Sequence, residues 1–268
     1  MKKTVLITGA TDGIGRETAR MLLADGHQVL LHGRSPSKME RVKAEFLSQQ
    51  DGADIEAYLA DLSSLDEVEC LAETVLANHG CLDVLINNAG VYHVNDPVSK
   101  DGLDVRFVVN TISPYLLTKR LFTLLPANGR VINLSSAAQA PFDPSALETV
   151  SRLPDGMVYA QSKLAITMWS RHLASIMKND APVVVAVNPK SMLGTKMVKE
   201  AFGVGGADPG IGAKILCRAA LSDEFADASG RYFDNDIGRF SSPHPDAMNA
   251  RKNEAVFRVL EAVLSNWN

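Results

Sequence analysis

The chain has 268 residues, 46% of them apolar and 22% charged, which is enough apolar material for a globular core and fits one large α/β domain or two small ones. The formal net charge of −4 gives no support for a nucleic-acid or membrane-surface partner, since both favour basic protein surfaces.

The cysteines and the N-terminus bear on the cellular compartment. An odd number of cysteines (three) without metal-ligand spacing predicts buried, reduced thiols, which suits a reducing compartment. The six histidines have no metal-ligand spacing either, so no metal site is predicted. The apolar stretch after the basic residues 1–3 is too short for a signal peptide, and no run approaches a membrane span. We expect a soluble cytoplasmic protein.

Short apolar runs alternate with stretches of helical periodicity along the chain. Predicted strands lie at residues 5–7, 29–31, 55–59, 84–86, 131–134, 183–187 and 231–233. The longest predicted helices lie at about residues 103–125, 157–178 and 245–264. Almost purely apolar strands that alternate with helices favour a doubly wound parallel sheet with helices on both faces. No linker or repeat interrupts the pattern, so we predict a single domain over residues 1–268.

Two segments interrupt the helical and strand patterns. Residues 137–157 carry three prolines, and residues 190–212 carry several glycines around apolar side chains. Long loops within a compact domain are often functional, and both segments follow strands at the edge where open α/β sheets bind ligands. We predict that both are substrate loops, although the first could equally be a surface excursion.

A glycine-rich turn lies between the first strand and the first helix. Gly9, Gly13 and Gly15 have the spacing Gly-x-x-x-Gly-x-Gly, which lets backbone N–H groups approach a pyrophosphate at a helix N-terminus. Any strand-to-helix turn can use glycine, so the motif alone is weak evidence for a nucleotide site. Its position after an apolar strand at the start of the chain strengthens that interpretation.

Tyr159 and Lys163 lie four residues apart in a predicted helix, so their side chains share one face. A lysine beside a tyrosine hydroxyl favours the phenolate and lowers the tyrosine pKa towards the range of acid/base catalysis. The same spacing also describes an exposed pair on an amphipathic helix.

These features occur in an order that resembles the classical short-chain dehydrogenase/reductase family. The matching motifs are residues 8–15, residues 87–90, Asn110, Ser135 with Ser136, and Tyr159 with Lys163. The 23-residue interval from Ser136 to Tyr159 is longer than is usual in the family and resembles the retinol-dehydrogenase-like branch, which acts on lipophilic alcohols and aldehydes.

The resemblance implies a role for each matching residue. Tyr159 would be the acid/base, Lys163 would hold the nicotinamide ribose and lower the Tyr159 pKa, and Ser136 would orient the carbonyl. Asn110 would support the proton path by keeping a water near Lys163. Without the pair Tyr159 and Lys163, Ser136 would read as a capping hydroxyl after a strand and Asn110 as a satisfied helix amide.

The resemblance also implies a nicotinamide cofactor and its contacts. These are Gly9, Thr11, Asp12, Gly13, Ile14, Gly15, Asp61, Leu62, Asn88, Ala89, Gly90, Tyr159, Lys163, Pro189 and Thr195. At the end of the second strand, no carboxylate stands at Gly33 to accept from a ribose hydroxyl, and Arg34 offers a guanidinium suited to phosphate. With Ser35 and Arg16 nearby, the sequence favours NADP(H) and leaves NAD(H) as the alternative.

The chain departs from the family in two places. Lys190 follows Pro189 where the family usually has glycine, and Ser113-Pro114 stands where glycine is common, which predicts a kink or a shifted helix start.

The sequence therefore predicts an NADP(H)-dependent oxidoreductase that transfers a hydride between nicotinamide and an apolar alcohol/carbonyl substrate. Rival interpretations are a non-catalytic NADP(H)-sensing regulatory protein and a dehydratase or epimerase, which would need a further carboxylate or base. In this family the two long helices, 103–125 and 157–178, often pair between subunits, so a homodimer or homotetramer is expected.

Overall fold

The computed structural model describes residues 1–177 and 181–267. Within them, one eight-stranded sheet has the order β3-β2-β1-β4-β5-β6-β7-β8. Its strands are β1 Thr4–Ile7, β2 Gln28–Gly33, β3 Ile55–Leu59, β4 Val84–Asn87, β5 Arg130–Leu134, β6 Val183–Asn188, β7 Tyr232–Asp234 and β8 Arg239–Ser241. All neighbouring pairs are parallel except β7 with β8. The predicted α/β fold is confirmed, with an antiparallel edge strand added.

Helices cover both faces of the sheet. They are α1 Gly13–Ala24, α2 Pro36–Gln49, α3 Leu65–Asn78, α4 Val105–Phe107, α5 Ser113–Leu121, α6 Asp155–Ile176, α7 Lys196–Phe202, α8 Pro209–Leu221 and α9 Ala250–Trp267. Short 3-10 helices lie at Phe122–Leu124, Pro144–Glu148, Asp223–Phe225 and Pro245–Met248. Residue 178, the predicted end of the helix now called α6, lies outside the described residues.

Alternate side chains of each strand enter two separate cores. Val5 and Ile7 of β1 belong to a cluster with buried residues of α1, α2 and α8, whereas Leu6 points into a cluster with α3, α5, α6 and α9. Because both faces are buried, the strand is apolar throughout. This two-sided burial explains why the inner strands were easy to recognise in the sequence.

The predicted helix at 103–125 is broken into pieces. A π-helical segment, Val108–Ile112, separates α4 from α5, and Pro114 is the second residue of α5. Proline lacks an N–H and cannot complete the bond to the preceding turn. The α-helical geometry of α5 therefore begins only at Ser113, after the π-helical segment, and π-helical turns of this kind are frequent at functional sites.

The predicted loop at 190–212 contains a helix of its own. Thr195 caps α7 by accepting a hydrogen bond from the Val198 amide at 3.3 Å, and Gly203 ends the helix with a φ of 67°. None of the seven residues of α7 is buried, so no apolar periodicity reveals it.

The structure bears on two further expectations, the burial of the cysteines and the absence of a membrane span. Cys70 and Cys81, predicted to be buried, are exposed, because they lie on the outer face of α3 and in the turn before β4; all three cysteines are free thiols. Among residues 1–177 and 181–267, no helix has both the length and the apolar character that crossing a membrane requires.

Helix α9 covers the outer side of α5 and α6. Phe257 packs edge-on against Tyr115, with ring centroids 5.5 Å apart, and against His172 at 4.6 Å. Glu261 accepts hydrogen bonds from the Tyr115 hydroxyl and from Lys119 Nζ, the latter at 2.8 Å. Part of the helix surface expected to pair between subunits is thus buried within the chain.

Candidate active site

The glycine-rich turn joins β1 to α1 and leaves no room for side chains. A Cβ on Gly9 would lie 2.9 Å from the Ala89 Cα, and a Cβ on Gly15 would lie 2.4 Å from the Gly9 carbonyl oxygen. Gly9 and Gly13 also have positive φ angles, of 67° and 52°. Asp12 caps α1 by accepting from the Gly13 amide at 2.9 Å. This compact backbone at a helix N-terminus fits a dinucleotide pyrophosphate.

Asn88, just after β4, holds the glycine-rich turn in place through side-chain hydrogen bonds. Its Nδ2 donates to the carbonyl oxygens of Thr8 at 2.8 Å and Gly9 at 3.1 Å. The Thr8 hydroxyl oxygen accepts in return from the amides of Asn88 and Ala89, at 3.0 and 3.1 Å. The sequence motifs at residues 8–15 and 87–90 therefore form one unit.

His32 is a second support that sequence reasoning missed. Its Nδ1 accepts a hydrogen bond from the Gly9 amide at 3.2 Å, so Nε2 carries the proton and donates to the Ala60 carbonyl at 3.0 Å. Burial lowers the pKa of His32 to about 4, which keeps the ring neutral. No sequence signal beyond its place in an apolar strand marks this role.

The end of β2 presents positive charge. The Arg34 side chain is 70% exposed and lies 4.0 Å from the Asp61 carboxylate, a loose contact that leaves its guanidinium accessible. The Ser35 hydroxyl accepts from the Lys38 amide at 3.4 Å and so caps α2. Asp61 Oδ1 accepts from the backbone and side chain of Ser63, at 2.9 and 2.8 Å.

Two other cations near the turn differ from expectation. Arg16, expected to add a charge for the cofactor, is paired with Glu45 and with Glu17 at 3.3 Å on the surface of α1. Lys38, which sequence reasoning did not single out, places its Nζ 3.0 Å from Asp12 Oδ2, beside the glycine-rich turn. A lysine one turn into the helix after β2 was the available signal.

Tyr159, Lys163 and Ser136 converge at the ends of α6 and β5. The Ser136 side chain lies beside the Tyr159 hydroxyl and acts to lower the pKa of that phenol, and Ser136 Oγ accepts a hydrogen bond from the Ala138 amide at 3.1 Å. Lys163 Nζ donates to the Leu134 carbonyl at 2.7 Å and lies 5.6 Å from the centre of the Tyr159 ring. Burial lowers the pKa of Lys163 to about 8.

The pKa of Tyr159 differs from the expectation that Lys163 lowers it. Burial raises the Tyr159 pKa, the Ser136 side chain lowers it, and the neighbouring Tyr92 raises it further, so the net shift is upward.

Asn110 lies in the π-helical segment, and its side-chain amide bonds the segment that follows Gly90. Its Oδ1 accepts from the Val91 amide at 2.8 Å, and its Nδ2 donates to the Val91 carbonyl and the Ser162 hydroxyl, both at 2.9 Å. Asn110 thus holds the chain that follows Gly90. A Cβ on Gly90 would lie 3.3 Å from Asn110 Oδ1 and 3.5 Å from Lys163 Nζ, so glycine keeps these groups close.

The Ser136 backbone is held by two side chains that sequence reasoning missed. Its carbonyl accepts from Gln139 Nε2 at 2.9 Å and from the Tyr232 hydroxyl at 3.0 Å. The Ser135 hydroxyl is instead bonded to Thr167 and to the Lys163 carbonyl, at 2.7 and 3.1 Å, which ties β5 to α6.

The segment that carries α7 crosses the cleft above these residues. Thr195 Cγ2 would lie 3.3 Å from a Cβ on Gly13, and Met197 Cε 3.8 Å from one on Gly90. At the far end, the Phe202 ring packs edge-on against Tyr92 at 5.5 Å, and Tyr92 packs on Tyr159 at 5.2 Å. The segment therefore packs against Gly13 of the glycine-rich turn and is linked to Tyr159 through the Tyr92 ring.

Arg106 organises the loop before α6. Its side chain is only 4% exposed and donates to both carboxylate oxygens of Asp104, at 2.9 and 2.7 Å. It also donates to Asp155 in the first turn of α6 at 2.6 Å and to the Ser151 carbonyl at 3.2 Å. These bonds fix the start of α6, four residues before Tyr159. They also tie the loop that contains Ser151 to the helix that carries Tyr159.

No cluster of three or more metal-ligating side chains occurs in the part of the chain that the structure describes. The arrangement instead combines a pyrophosphate cradle, a buried lysine and a serine–tyrosine pair that can share one substrate oxygen.

Comparison with known proteins agrees with this chemistry. The sequence profile of the family described as short chain dehydrogenase matches residues 3–203. Human retinol dehydrogenase 13 is 30% identical over 265 residues, which cover 91% of this chain and 79% of that protein. Human retinol dehydrogenase 12 is also 30% identical, with 96% of this chain and 84% of that protein covered.

Solved structures give the same result. A protein from Mycobacterium paratuberculosis, described as a putative uncharacterized protein, has a TM-score of 0.78 at 25% identity and covers 98% of this chain and 93% of its own. The landomycin C-6 ketoreductase, with bound NADP and rabelomycin, has a TM-score of 0.69 at 28% identity, with 87% and 94% covered.

Proposed function

This chain belongs to the short-chain dehydrogenase family and is an NAD(P)-dependent oxidoreductase, and from that premise we propose that it uses NADP(H) to interconvert an apolar alcohol and its carbonyl compound, with Tyr159 as the acid/base. The observation that carries the proposal is the convergence of Ser136, Tyr159 and Lys163 beside the glycine-rich turn.

The residues around the cleft fit a dinucleotide. The cradle at residues 8–15 would take the pyrophosphate on the N-terminus of α1, Asp61 and Leu62 the adenine, and residues 88–90 the adenosine side. Pro189 and Thr195, after β6, would border the nicotinamide. When bound, the nicotinamide supplies or accepts the hydride, so the protein has to bind, orient and manage one proton.

Tyr159 and Ser136 would act on the substrate oxygen. In reduction, Tyr159 Oη would donate its proton to that oxygen, and in oxidation it would accept it. Ser136 Oγ, beside the Tyr159 hydroxyl, would donate a hydrogen bond to the same oxygen and orient it. The raised pKa of Tyr159 keeps the phenol protonated at neutral pH, so its proton is available for transfer to the substrate oxygen.

Lys163 would hydrogen-bond the nicotinamide ribose, and its positive charge would stabilise negative charge on the Tyr159 oxygen. Its Nζ is buried with one hydrogen bond to the Leu134 carbonyl at 2.7 Å, and an ammonium has further N–H groups to donate to ribose hydroxyls. Asn110 would support the site by fixing Val91 and the helix turn of Ser162.

Exposed positive charge favours NADP(H) over NAD(H). Arg34 is accessible, no carboxylate stands at Gly33, and Lys38 lies close by on α2. A guanidinium and an ammonium at the end of β2 suit the 2′-phosphate. The landomycin C-6 ketoreductase, 28% identical, was solved with NADP bound.

Apolar side chains on both substrate loops support a lipophilic substrate. Leu153 and Met157 near the start of α6 are 48% and 45% exposed, and Met192, Phe202 and Val204 around α7 are 43–51% exposed. Exposed apolar side chains of this size around a cleft are typical of sites that bind apolar ligands. The similarity to retinol dehydrogenases points in the same direction.

Assembly and location are part of the proposal. We propose that the protein is cytoplasmic, consists of a single domain and assembles into a homodimer or homotetramer. Since α9 packs on α5 and α6, an assembly through these helices would include α9 at its interface. Family membership favours an enzyme over the alternative of a non-catalytic NADP(H)-sensing protein, which would have no need for the serine–tyrosine pair.

The test replaces Tyr159 by Phe and follows NADPH oxidation with a panel of aliphatic and aromatic aldehydes and ketones. Loss of a positioned proton donor should lower turnover about 10²- to 10⁴-fold, while the NADPH dissociation constant stays within about twofold because the phenol is not a phosphate ligand. Tyr58→Phe, a change of the same size at β3, is the matched control. Unchanged turnover in Tyr159→Phe would refute the mechanism, and a wild type that binds NADPH without reducing any carbonyl would favour the sensor.

A further inference from the structure

The turn after β6 has an unusual backbone. Lys190 has a φ of 125° and Met192 a φ of 53°, and in residues 1–177 and 181–267 these are the two non-glycine residues with positive φ. Side chains with a Cβ disfavour this region, and such residues persist only where the surroundings enforce them. Lys190 stands where glycine would have adopted the conformation freely.

Side chains from the region around the β7–β8 connection hold this turn. Asp234 Oδ1 accepts from Asn188 Nδ2 at 2.8 Å, and Asn235 Nδ2 donates to the Pro189 carbonyl at 2.9 Å.

Asp236 makes the contacts on both sides of Lys190. Asp236, in the connection between β7 and β8, accepts hydrogen bonds from Asn188 Nδ2 at 2.9 Å, from the Ser191 amide at 3.0 Å and from the Ser191 hydroxyl at 2.6 Å. These contacts lie on both sides of Lys190. Burial alone would raise the pKa of Asp236, but the bonds from Ser191 and Asn188 and the charge of Lys190 lower it overall, so the group is an anion at neutral pH.

The turn fixes the chain that continues into α7. Met192 and Gly194 pair with Ala207, whose amide donates to the Met192 carbonyl at 2.8 Å and whose carbonyl accepts from Gly194. Leu193 is buried against Gly212, where a Cβ would lie 2.7 Å from its Cδ1. Thr195 then packs against Gly13 of the glycine-rich turn.

We propose that Asp236 is a positioning residue for the cofactor. By bonding both sides of Lys190, it holds the turn in a conformation that its side chains oppose, and so it sets Pro189 beside the nicotinamide and Thr195 against the pyrophosphate cradle. This inference rests on the proposed function, since it takes Pro189 and Thr195 as cofactor contacts. Asp236 itself touches neither cofactor nor substrate.

The experiment measures the NADPH dissociation constant in a double-mutant cycle. Asp236→Asn keeps the shape of the side chain but turns donors towards Asn188 and Ser191, and it should weaken NADPH binding about tenfold, the scale of strain that a left-handed non-glycine residue carries. Lys190→Gly removes the main conflict at residue 190. In that background, Asp236→Asn should weaken binding by no more than about twofold. Asp227→Asn, on the surface before β7, is the matched control and should change nothing.

The conformation of the turn is also followed without cofactor, by hydrogen exchange of the peptide that contains Ser191. The Ser191 amide should exchange slowly in the wild type and faster in Asp236→Asn. If Asp236→Asn does not fold, Ser191→Ala, which removes only the hydroxyl donor, replaces it in the cycle.

Each outcome decides the inference. A loss in NADPH affinity that Lys190→Gly relieves supports it. An equal loss in both backgrounds, or none, overturns it and leaves the proposed function intact, because the wild type still binds and turns over. A wild type that binds neither NADPH nor NADH overturns both.

Discussion

The two sides of the cleft are built in different ways. On the cofactor side, the turn after β1 owes its shape to glycines, and a Cβ on Gly15 would meet the Gly9 carbonyl at 2.4 Å. On the substrate side, the loop before α6 owes its shape to Arg106, which reaches Asp104, Asp155 and the Ser151 carbonyl from 45 or more residues away in the last two cases. The glycines that shape the first side lie within the turn itself, although Asn88 supports them from the end of the neighbouring strand, whereas the second side is shaped by a single arginine that bonds distant residues.

This difference has consequences for substitution. A glycine turn fails when atoms are added, because there is no space, whereas a buried ionic network fails when a charge is removed, because its partner is left unpaired. The first failure should be confined to cofactor binding and its neighbours, and the second should reach the stability of the whole fold.

The largest effect is expected for Arg106→Met, which leaves the fully buried Asp104 without its partner. The free energy of unfolding should fall by about 3–5 kcal/mol, the usual cost of breaking a buried ion pair. Arg120→Met is the matched control, because the Arg120–Glu69 pair is partly exposed and should cost no more than about 1 kcal/mol. Urea denaturation followed by circular dichroism measures both. Equal losses in the two variants would mean that the network does not hold the substrate side.

A smaller effect is expected for Gly15→Ala. The added methyl would lie 2.4 Å from both the Gly9 carbonyl oxygen and Asn88 Nδ2, so the turn must shift. We expect a destabilisation of about 1–3 kcal/mol, as for other overpacked sites, together with loss of measurable NADPH binding. Gly80→Ala, where a Cβ would meet no atom within 4 Å, should leave stability and NADPH affinity nearly unchanged. Wild-type NADPH affinity in Gly15→Ala would contradict the assignment of this turn to the pyrophosphate.

The smallest effect is expected for Arg34→Ala. Its side chain is 70% exposed, so stability should not change, but NADPH affinity should fall about tenfold while NADH affinity stays the same. Arg41→Ala, on the exposed face of α2, is the control. Isothermal titration with both dinucleotides provides the measurement, and parallel losses for NADPH and NADH would remove the basis for preferring NADP(H).

The same contrast explains how much the sequence could predict. The sheet, its strands and the glycine turn were recognisable because their signals are local: apolar runs, spacing of four and glycine. β8 was missed because it has three residues, of which only Phe240 is apolar, and α7 was missed because it buries none of its residues. Hydrophobic periodicity cannot reveal a helix or strand that buries few or none of its side chains.

The polar supports of the site were missed for a related reason. His32, Gln139, Arg106 and Asp236 act on residues that are near in space and mostly far in sequence. Their residue types have ordinary surface roles as well, so only the fold reveals what they bond. The net upward shift of the Tyr159 pKa was also not visible in the sequence, because the spacing of four residues does not reveal how deeply the phenol is buried.

Helix α9 follows α5 and α6 in the chain and packs on both, so it can cover them only after it has itself been synthesised. Residues of α9 are the last to leave the ribosome among those that cover α5 and α6, and they bury Tyr115 and the outer side of the helix that begins beside Tyr159. Until they are made, the apolar side of α6 has no cover from its own chain. We therefore expect a stage of synthesis at which the side of α6 that α9 later covers is still exposed and accessible to chaperones.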